Sequence, residues 1–592
     1  EPERRYTPKS DKTKRIRVSG SWIKCPVFKW ENLLPGARLS GPSLILSESS
    51  TLLVEEGWTF VLDNSNNGII RLGNSSRSER TKADEAQLEL FTNRFTAIAE
   101  EMGTLLQRTS FSVNVKERLD FSCALLDKDG NLVVNAPHIP VHLGSMGVCV
   151  RSVMKVMRAG EGDVIITNHP AYGGSHLPDI TLIKPVFVRK ILIGFVANRA
   201  HHAEVGGSRP GSMPSDATCL EEEGVVIAPT YLVRNRISQW DAVRSAFTSA
   251  TFPTRALEEN LADLNGALMS LEQGAESLVN LCRMFGSGEV TKYMTLLRQH
   301  ASAVISKKFR QLKKYYSAEE YLDDGSKLKV SISKKRNRLH IDFTGCAPVH
   351  KGNLNATPAI VNSVILYVLR LLVNESIPLN EGLLHNVRTH LPTCILNPVF
   401  HSDHKLSPAV VGGNTEISQR LTDTLLKALR LSSCSQGTMN NFLFGNDRFG
   451  YYETICGGVG AGQGFNGFSA VHQHMTNTRI TDPEIVEHRY GVRLEKFEIR
   501  KGSGGSGKWS GGDGVERQFY FKESFQVSIL SQHRIVAPFG MNGGLPGKTG
   551  EQFLIRDNKR KKLKGTDGLV VVAGDRIIIK TPGGGGWGKI RI

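Results

Sequence analysis

Between residues 168 and 216 the sequence concentrates the side chains that could do chemistry. The motif GGSHLPD places His176 three residues before Asp179, and the motif NRAHHAEVGG contains the adjacent pair His201 and His202. Imidazole nitrogens combined with carboxylate oxygen suit Zn, Mn or Fe(II) better than Ca or Mg, which favour a dense cage of oxygen ligands. These residue types predict a divalent metal site, and we expect Zn or Mn.

Two apolar runs between these motifs predict the elements that position them. Residues 180–188 and 191–196 are rich in β-branched and aromatic residues and are separated by a turn at Lys190. A pair of antiparallel strands returns the chain to the edge where it began. The histidine before the first strand and the histidine after the second are therefore expected to meet.

A simpler alternative is that these are loop histidines that hydrogen-bond to the backbone. Six of the 17 histidines, however, lie between His138 and His202, beside acidic residues and glycines. Glycine-rich loops allow the backbone to approach a ligand closely, and loops on a rigid sheet often carry binding residues. The clustering favours the metal site.

A further carboxylate lies upstream, after a predicted helix over residues 84–108. Two strands joined by the turn signal DKDG follow that helix, and Asp120 is predicted to lie in the first of them, between Leu119 and Phe121. A carboxylate in an apolar strand needs a partner, because its burial without one is costly. A metal ion and Arg118 are the two candidates.

Length, charge and cysteine usage limit the class of protein. A chain of 592 residues is too long for one core, and no apolar run approaches the roughly 20 residues that span a bilayer. Its first residues lack the apolar segment of a secretory signal. Nine scattered cysteines without a CxxC pair indicate reduced thiols. We expect a cytoplasmic protein with no membrane partner.

The net charge of +17 raises the possibility of a nucleic-acid partner. Basic clusters occur at Lys307 to Lys314, Lys334 to Arg338 and Lys559 to Lys564. They lack the interleaved aromatic residues of a stacking platform and match no nucleic-acid motif, so a solvated basic surface is the favoured interpretation. No nucleic-acid partner is expected, although a positive field could attract small anions to a cleft.

The remaining patterns define the expected architecture. Residues 1–80 alternate as a small β module, residues 81–500 mix helices and strands, and residues 501–592 contain short strands and glycine clusters. The glycine-rich stretch 457–468 lacks a GxxxxGK[ST] motif, so we expect it to line a cavity rather than to bind a nucleotide. The fold class predicted is α+β, with a mixed multi-layer core, a small N-terminal β module and a β-rich C-terminal region.

Several long motifs resemble those of the hydantoinase B/5-oxoprolinase family. They are KERLDFSCALLDKDG, NHPAYGGSHLPDITLIKPVF, NRAHHAEVGGSRPGSMP, YYETICGGVGAGQGFNG and GGGGWG, and the resemblance covers residues 84–592. Residues 1–80 resemble the last β module of the hydantoinase A half, which precedes the B half in fused 5-oxoprolinases. The resemblance therefore implies a hydantoinase B-like core with the tail of an A-like half before it.

The resemblance also implies a mechanism and a set of ligands. In such enzymes the A half uses ATP and Mg to phosphorylate a lactam oxygen, and the metal-containing B half completes the hydrolysis of the activated ring. The motifs place the metal ligands at Asp120, His176, Asp179 and His201 of this sequence.

Four weaker assignments follow from the same motifs. His202 or Glu204 could relay a proton, and Arg118 or Arg209 could hold a carboxylate or a phosphate. The ATP-binding part of the A half is missing from these residues, so we expect this chain alone to bind no ATP.

The resemblance favours one activity over two alternatives. The expected enzyme opens the activated lactam of 5-oxo-L-proline to L-glutamate, together with a hydantoinase A-like half or subunit and as a homo-oligomer. A subunit of a hydantoinase or ketone carboxylase is the first alternative, but those enzymes usually carry the two halves on separate chains. The second is a basic binding protein without catalysis, against which the intact metal motifs argue.

Overall fold

The structure, a computed structural model, describes residues 5–18, 21–72, 77–136, 138–375 and 377–590. The chain divides into two compact units, Glu1–Leu90 and Phe91–Ile592. One long helix, α1 (Arg77–Thr109), runs from the first unit into the second. The boundary predicted at residue 80 falls inside this helix, and the one predicted at residue 500 lies within the second unit.

The first unit is the small β module that the sequence predicts. Buried Phe28, Leu39, Val54 and Phe60 form its core between two sheets. The sheets have the orders β1-β2-β4-β5 and β3-β6-β7. Their strands are β1 (Lys12–Val18), β2 (Ser21–Lys29), β3 (Arg38–Ser40), β4 (Ser43–Leu46), β5 (Thr51–Val54), β6 (Trp58–Leu62) and β7 (Gly68–Leu72).

The second unit begins with a seven-stranded antiparallel sheet of order β14-β13-β10-β11-β12-β8-β9. Its strands are β8 (Phe121–Asp127), β9 (Leu132–Asn135), β10 (Val164–Thr167), β11 (Asp179–Val188), β12 (Ile191–His201), β13 (Thr230–Arg234) and β14 (Ile237–Ser238). The accompanying helices are α2 (Val113–Lys116), α3 (Pro140–Leu143), α4 (Ser145–Val156), α5 (Leu220–Glu223), α6 (Trp240–Thr248), α7 (Leu257–Phe285) and α8 (Ser287–Gln311). The sheet is the platform of the candidate site, because β11 and β12 lie at its centre.

A second layer follows in the chain and closes over the platform. Its sheet has the order β15-β16-β17-β18, and a π-helix at Gly413–Ile417 leads directly into the last helix. The elements are β15 (Tyr315–Tyr321), β16 (Lys327–Lys335), β17 (Arg338–Asp342), α9 (Pro358–Leu371), β18 (Val387–His390) and α10 (Ser418–Leu429). Helix α10 packs on α9 and on β15, which anchors the π-helix in the interior.

The last part of the chain is rich in strands, as predicted. It contains one sheet of order β20-β19-β23-β26 and one of order β21-β22-β27-β24-β25. The elements are β19 (Asn441–Gly445), β20 (Gly450–Thr454), α11 (Pro483–Arg489), β21 (Val492–Ile499), β22 (Val515–Phe521), β23 (Phe525–Leu530), β24 (Glu551–Arg556), β25 (Lys559–Lys562), β26 (Thr566–Val571) and β27 (Arg576–Lys580). None of the helices among the described residues is both long and apolar enough to cross a membrane.

The central hairpin explains the two apolar runs in the sequence. Strands β11 and β12 pair from Asp179 opposite His201 to Val188 opposite Ile191. The predicted second strand ends at Val196, whereas β12 continues to His201, because the protein interior satisfies its polar residues. Asn198 donates to the Ala267 carbonyl of α7 at 2.7 Å.

The sequence predicted that Asp120 lies in the first strand of the upstream hairpin, and this prediction is wrong. Strand β8 begins at Phe121, and Leu119 has a left-handed backbone with φ of 56°. The left-handed turn at Leu119 prevents the strand from extending towards the N-terminus beyond Phe121, so Asp120 precedes the strand. The Asp120 carbonyl accepts from the His201 amide at 2.9 Å, which joins it to the end of β12.

Glycine in the C-terminal part permits close backbone packing. A Cβ on Gly584 would lie 2.0 Å from the Val459 carbonyl oxygen, and one on Gly583 would lie 2.1 Å from the Ser503 carbonyl oxygen. The Gly584 amide donates to Gly512 at 2.9 Å. Within the stretch 457–468, Gly458 packs against Gly512 and Gly584, and the expectation that this stretch lines a cavity stays a prediction.

A buried ion pair in this part gives a stability prediction. The Arg517 guanidinium donates to both Glu453 oxygens at 2.7 and 2.9 Å, and both side chains are fully buried. Glu453→Ala leaves the guanidinium buried without a counterion, so we expect a loss of about 3–5 kcal/mol in the free energy of unfolding. Urea-induced unfolding monitored by circular dichroism measures it.

The matched control is an exposed pair, Arg236 with Glu161 at 3.2 Å. Glu161→Ala should change the same free energy by about 1 kcal/mol or less. Equal shifts in the two variants would contradict the assignment of a stabilising role to burial.

Candidate metal centre

Three donor atoms converge beside the ends of the central hairpin. His176 Nε2 lies 3.2 Å from His201 Nδ1 and 3.2 Å from Asp179 Oδ2, and His201 Nδ1 lies 3.2 Å from Asp179 Oδ1. Within the described parts of the chain these three residues form the one histidine, cysteine or carboxylate group whose donor atoms are close enough to hold one ion. His176 and Asp179 have no exposed surface, and His201 is 2 % exposed.

The pairing of β11 with β12 accounts for this convergence. Asp179, the first residue of β11, lies opposite His201, the last residue of β12. His176 precedes β11 by one turn, and its carbonyl accepts from the Asp179 amide at 3.1 Å. The predicted meeting of the two histidines is confirmed, and their role as ligands stays a prediction.

The donor set fits a small divalent cation. Zn–N bonds of about 2.0–2.1 Å in a tetrahedral arrangement would place neighbouring ligand atoms about 3.3 Å apart. The other ring nitrogens, His176 Nδ1 and His201 Nε2, are buried and have no hydrogen-bond partner among the described residues. A cation held by Nε2 of His176 and Nδ1 of His201 would leave these two nitrogens unpaired, so the fit rests on the types and the spacing of the three donor atoms.

Asp179 is the centre of the polar contacts around the donor atoms. Its Oδ2 is contacted by His142 Nε2 at 3.1 Å and accepts from the Ser175 hydroxyl. His142 is itself held at Nδ1 by the Ser122 hydroxyl, at 3.1 Å. Burial alone would raise the pKa of Asp179, but the adjacent His176 and His142 hold it well below its usual range. Asp179 is therefore held as a carboxylate in a fixed orientation.

His201 is held by a ring rather than by a further hydrogen bond. Burial lowers the pKa of His201, and the nearby Asp120 charge offsets part of this decrease. The imidazole is therefore neutral, and a neutral imidazole has a nitrogen lone pair that can bind a cation. The Tyr452 ring stacks on the imidazole at a centroid distance of 4.9 Å. The Arg118 guanidinium lies 4.6 Å from the Tyr452 ring centroid.

The fourth predicted ligand, Asp120, lies beside the group but outside it. Its charge raises the pKa of His201, yet its carboxylate is not among the donor atoms that lie within 4.8 Å of one another. The structure thus brings three predicted ligands together and places Asp120 as their neighbour.

The two predicted proton relays occupy different surroundings. His202 is buried, its Nδ1 lies 3.2 Å from the Asn260 amide nitrogen, and burial lowers its pKa to about 4. Both Glu204 oxygens accept backbone hydrogen bonds, from Gly206 at 2.6 Å and from Gly211 at 2.7 Å. Glu204 therefore holds the glycine-rich loop that follows the site.

The two predicted substrate-binding arginines do not lie with the donor atoms. Arg118 is fully buried and donates to the Tyr452 carbonyl at 2.6 Å. Arg209 lies near the surface, where its guanidinium donates to both Asp216 oxygens at 2.8 and 2.7 Å.

Sequence reasoning missed Asn414 and Tyr452. The Asn414 side-chain nitrogen lies 3.1 Å from His176 Nε2, and Asn414 belongs to the π-helix Gly413–Ile417. π-Helices are rare and often occur at functional sites. Residue spacing could not have found either residue, because 238 positions separate Asn414 from His176.

Comparisons with known proteins bear on both units. Residues 84–590 match the family model described as hydantoinase B/oxoprolinase, and residues 1–72 match the one described as hydantoinase/oxoprolinase C-terminal domain. The first match covers the three converging donor residues.

Two relatives differ in how much of their own length is matched. The protein "5-oxoprolinase 1" of Arabidopsis thaliana is 43% identical over 98% of this chain and 48% of its own length. An uncharacterized protein of Methanocaldococcus jannaschii is 35% identical over 86% of this chain and 91% of its own. The chain spans about half the length of the curated 5-oxoprolinases it matches.

A solved structure shares the fold. The ATP-dependent caprolactamase of Pseudomonas jessenii superposes with a TM-score of 0.77 and 22% sequence identity. The match covers 85% of this chain and 91% of that chain. The α+β architecture is therefore that of a known fold.

The geometry for three of the residues, and the sequence motif for Asp120, predict which side chains control metal content. We expect His176→Ala, Asp179→Ala, His201→Ala and Asp120→Ala to lose metal by more than the roughly 10- to 100-fold typical of residues that only orient a ligand. Metal per chain, measured by elemental analysis on protein purified without chelator, checks this.

The control is His340→Ala, whose imidazole is exposed on β17. It should retain full metal, and circular dichroism should show every variant to be folded. Full metal occupancy in His176→Ala or His201→Ala would contradict the assignment of these histidines as metal ligands. A loss of metal in His202→Ala but not in His201→Ala would show that the ligand is His202 rather than His201.

Proposed function

The chain belongs to the hydantoinase B/oxoprolinase family, and from this premise we propose that it is the metal-dependent hydrolase half of an ATP-dependent 5-oxoprolinase. In this role it opens the phosphate-activated lactam of 5-oxo-L-proline to L-glutamate. The similarity to 5-oxoprolinases at about 40% identity supports this substrate.

The observation that carries the proposal is the buried triangle of His176, Asp179 and His201, with its 3.2 Å edges. Two imidazoles and a carboxylate suit Zn or Mn, and Asp120 is the proposed fourth ligand. A divalent ion bound there would supply Lewis acidity and would lower the pKa of a coordinated water towards about 7.

The side chains around the triangle have supporting roles in this proposal. His142 and Ser175 orient the Asp179 carboxylate. Tyr452 fixes the plane of His201, and Arg118 fixes Tyr452 by donating to its carbonyl. Such neighbours set the orientation and basicity of ligands, so their removal should weaken metal binding.

Proton transfer is assigned to His202. Burial lowers its pKa to about 4 and keeps the imidazole neutral at pH 7, so it can take the proton of the attacking water and return it to the ring nitrogen as the C–N bond breaks. Glu204, the other proposed relay, acts through the loop between Gly206 and Gly211 that its carboxylate holds.

The proposed partner is a hydantoinase A-like half or subunit that binds ATP and Mg and phosphorylates the lactam. Residues 1–72, which match the C-terminal domain of that half, support this arrangement. The cytoplasm is the proposed location, and a homo-oligomer is the proposed assembly. We propose no nucleic-acid or membrane partner.

Because ATP binding is assigned to the A-like half, we predict that this chain alone binds no ATP. Isothermal titration calorimetry of the chain with ATP and Mg should show no saturable heat at physiological ATP concentration. Saturable binding would place a nucleotide site on this chain and would contradict the assignment of ATP to the other half.

The hydrolytic role predicts that metal-site variants uncouple ATP use from product formation. With the A-like half present, fused or as a separate subunit, His176→Ala should still consume ATP on addition of 5-oxo-L-proline but form little L-glutamate. A coupled assay of phosphate and glutamate measures the ratio. A ratio unchanged from the unsubstituted protein would reject the proposal, as would ATP-dependent turnover of a hydantoin or a ketone instead.

The proton-transfer role predicts a loss of turnover without a loss of metal. His202→Ala should lower kcat by about 10²- to 10⁴-fold, the usual contribution of a general base, while metal content stays near that of the unsubstituted protein. Glu204→Gln should lower kcat as well, through disorder of its loop. Near-normal turnover in both variants would leave the two residues with structural roles alone.

A further inference from the structure

The burial of the candidate centre creates an access problem. The three donor residues are at most 2 % exposed, so no reactant can reach them in the conformation described here. A path must open from a surface cavity that lies close to the centre.

One open cavity approaches the centre from the side of the π-helix. It has a volume of about 850 Å³ and is lined by residues 215–218, 323–324, 350–354, 531–532, 534–535 and 562–566. This volume lies in the range of small-molecule sites, about 300–1,000 Å³.

A small apolar cluster separates this cavity from the centre. It consists of Met213, Val411, Leu443, Tyr452 and Leu530, all at most 3 % exposed. Tyr452 stacks on His201 on the inner side. On the outer side, Leu530 immediately precedes cavity-lining Ser531, and Met213 lies two residues before Ser215.

The π-helix forms the polar part of the same wall. A Cβ on Gly412 would lie 2.7 Å from Leu354 Cδ2, and Leu354 lines the cavity. On the other face of this short wall, Asn414 contacts His176 at 3.1 Å. The side-chain oxygen of Asn414 and Oε2 of Glu416 are buried without a hydrogen-bond partner in the described part of the chain.

Two sets of hydrogen bonds, joined by the peptide bond between Asn440 and Asn441, lie beside the apolar cluster. Cavity-lining Arg534 donates to Asn440 at 2.9 Å. The adjacent Asn441 donates to Glu416 at 2.7 Å and accepts from the Tyr452 hydroxyl at 3.0 Å. These contacts link the cavity-lining Arg534 to the segment that holds Tyr452, whose ring stacks on His201.

The charges of the cavity favour an anion. Lys351 and Lys564 line it, are exposed, and form no ion pair with any described residue, whereas Lys562 pairs with Glu551 and the Arg534 charge is offset by Asp323 and Glu416. Of its three carboxylates, Asp216 pairs with Arg209, Asp324 pairs with His350, and Asp323 accepts from the backbone amides of Arg534 and Val536. The positive field would attract a small anionic reactant.

We propose that this cavity is the access and docking site for the anionic reactant, and that the apolar cluster around Met213 is the barrier that opens to admit it. The inference rests on the proposed function, which supplies a reactant with a carboxylate and a phosphate. Met213 is suited to this role because its side chain is flexible. Its loop contains two left-handed residues, Gly211 at φ 85° and Ser212 at φ 57°.

A second open cavity of similar volume, about 830 Å³, provides the control. It lies between α7 and the far end of β11, and its lining includes Lys184, Ser238, Met269 and Glu272. Lys184 and Glu272 pair at 2.9 Å across it, and none of its lining residues belongs to the apolar cluster. Obstruction of this cavity should leave the centre accessible.

The first test measures how fast a neutral chelator, 1,10-phenanthroline, removes the metal from the chain. Thr218→Trp combined with Ile535→Trp fills the proposed access cavity at two exposed positions. We expect its second-order rate constant for metal removal to fall by an order of magnitude. Ser238→Trp combined with Met269→Trp, the matched pair in the control cavity, should leave the rate unchanged, and equal rates in both double variants would overturn the proposal.

The second test addresses the class of ligand. Lys351→Glu combined with Lys564→Glu should slow metal removal by the dianion pyridine-2,6-dicarboxylate severalfold and leave removal by 1,10-phenanthroline unchanged. An equal effect on both chelators, or none on the dianion, would overturn the assignment of an anionic ligand.

The third test separates this inference from the proposed function. With the ATP-using half present, the Thr218→Trp and Ile535→Trp double variant should consume ATP but form fewer glutamates per ATP, with full metal content. If the unsubstituted chain holds no metal, or if His176→Ala stays coupled, the proposed function fails. If both behave as expected but the double variant stays coupled, the access proposal alone fails.

Discussion

The buried Asp179 carboxylate is the constraint on which the rest of the site depends. A charge without solvent is stable only if neighbouring groups replace its hydration, and His142, Ser175 and the histidines of the triangle do so. These partners come from α3, from the segment before β11 and from the end of β12. The seven-stranded sheet therefore has to form in one register for the carboxylate to be tolerated, because a shift by one residue would turn Asp179 to the other face.

Local patterns in the sequence predicted the part of this arrangement that is local in the chain. The two apolar runs define β11 and β12, and their pairing brings His176 to His201 without any long-range information. The helix over residues 84–108 was predicted from its apolar stripe and is observed as part of α1. Asn414 and Tyr452 could not be found in this way, because the π-helix before α10 and the strand β20 reach the site through tertiary packing that no residue spacing encodes.

The arginines show a different limit of sequence reasoning. Arg118 and Arg209 lie in the family motifs, and their types suit a carboxylate or phosphate. In the fold, however, Arg118 donates to the Tyr452 carbonyl of β20, and Arg209 donates to the Asp216 carboxylate. The exposed Lys351 and Lys564 supply the positive charge near the proposed path instead. Residue type gives the chemistry that a side chain can do, but only the packed neighbours decide whether its donors remain free.

The glycine packing around Gly583–Gly586 has a consequence for biosynthesis. These residues lie against backbone near Val459, Ser503 and Phe539, so three earlier segments acquire their final neighbours only after the chain has reached residue 586. During translation the earlier segments leave the ribosome first and must wait with unpaired amide and carbonyl groups. Domains often fold as they emerge from the ribosome, but this unit can complete its interior only late. We expect its nascent form to depend on chaperones, and a side chain at Gly584 to lower the yield of folded protein.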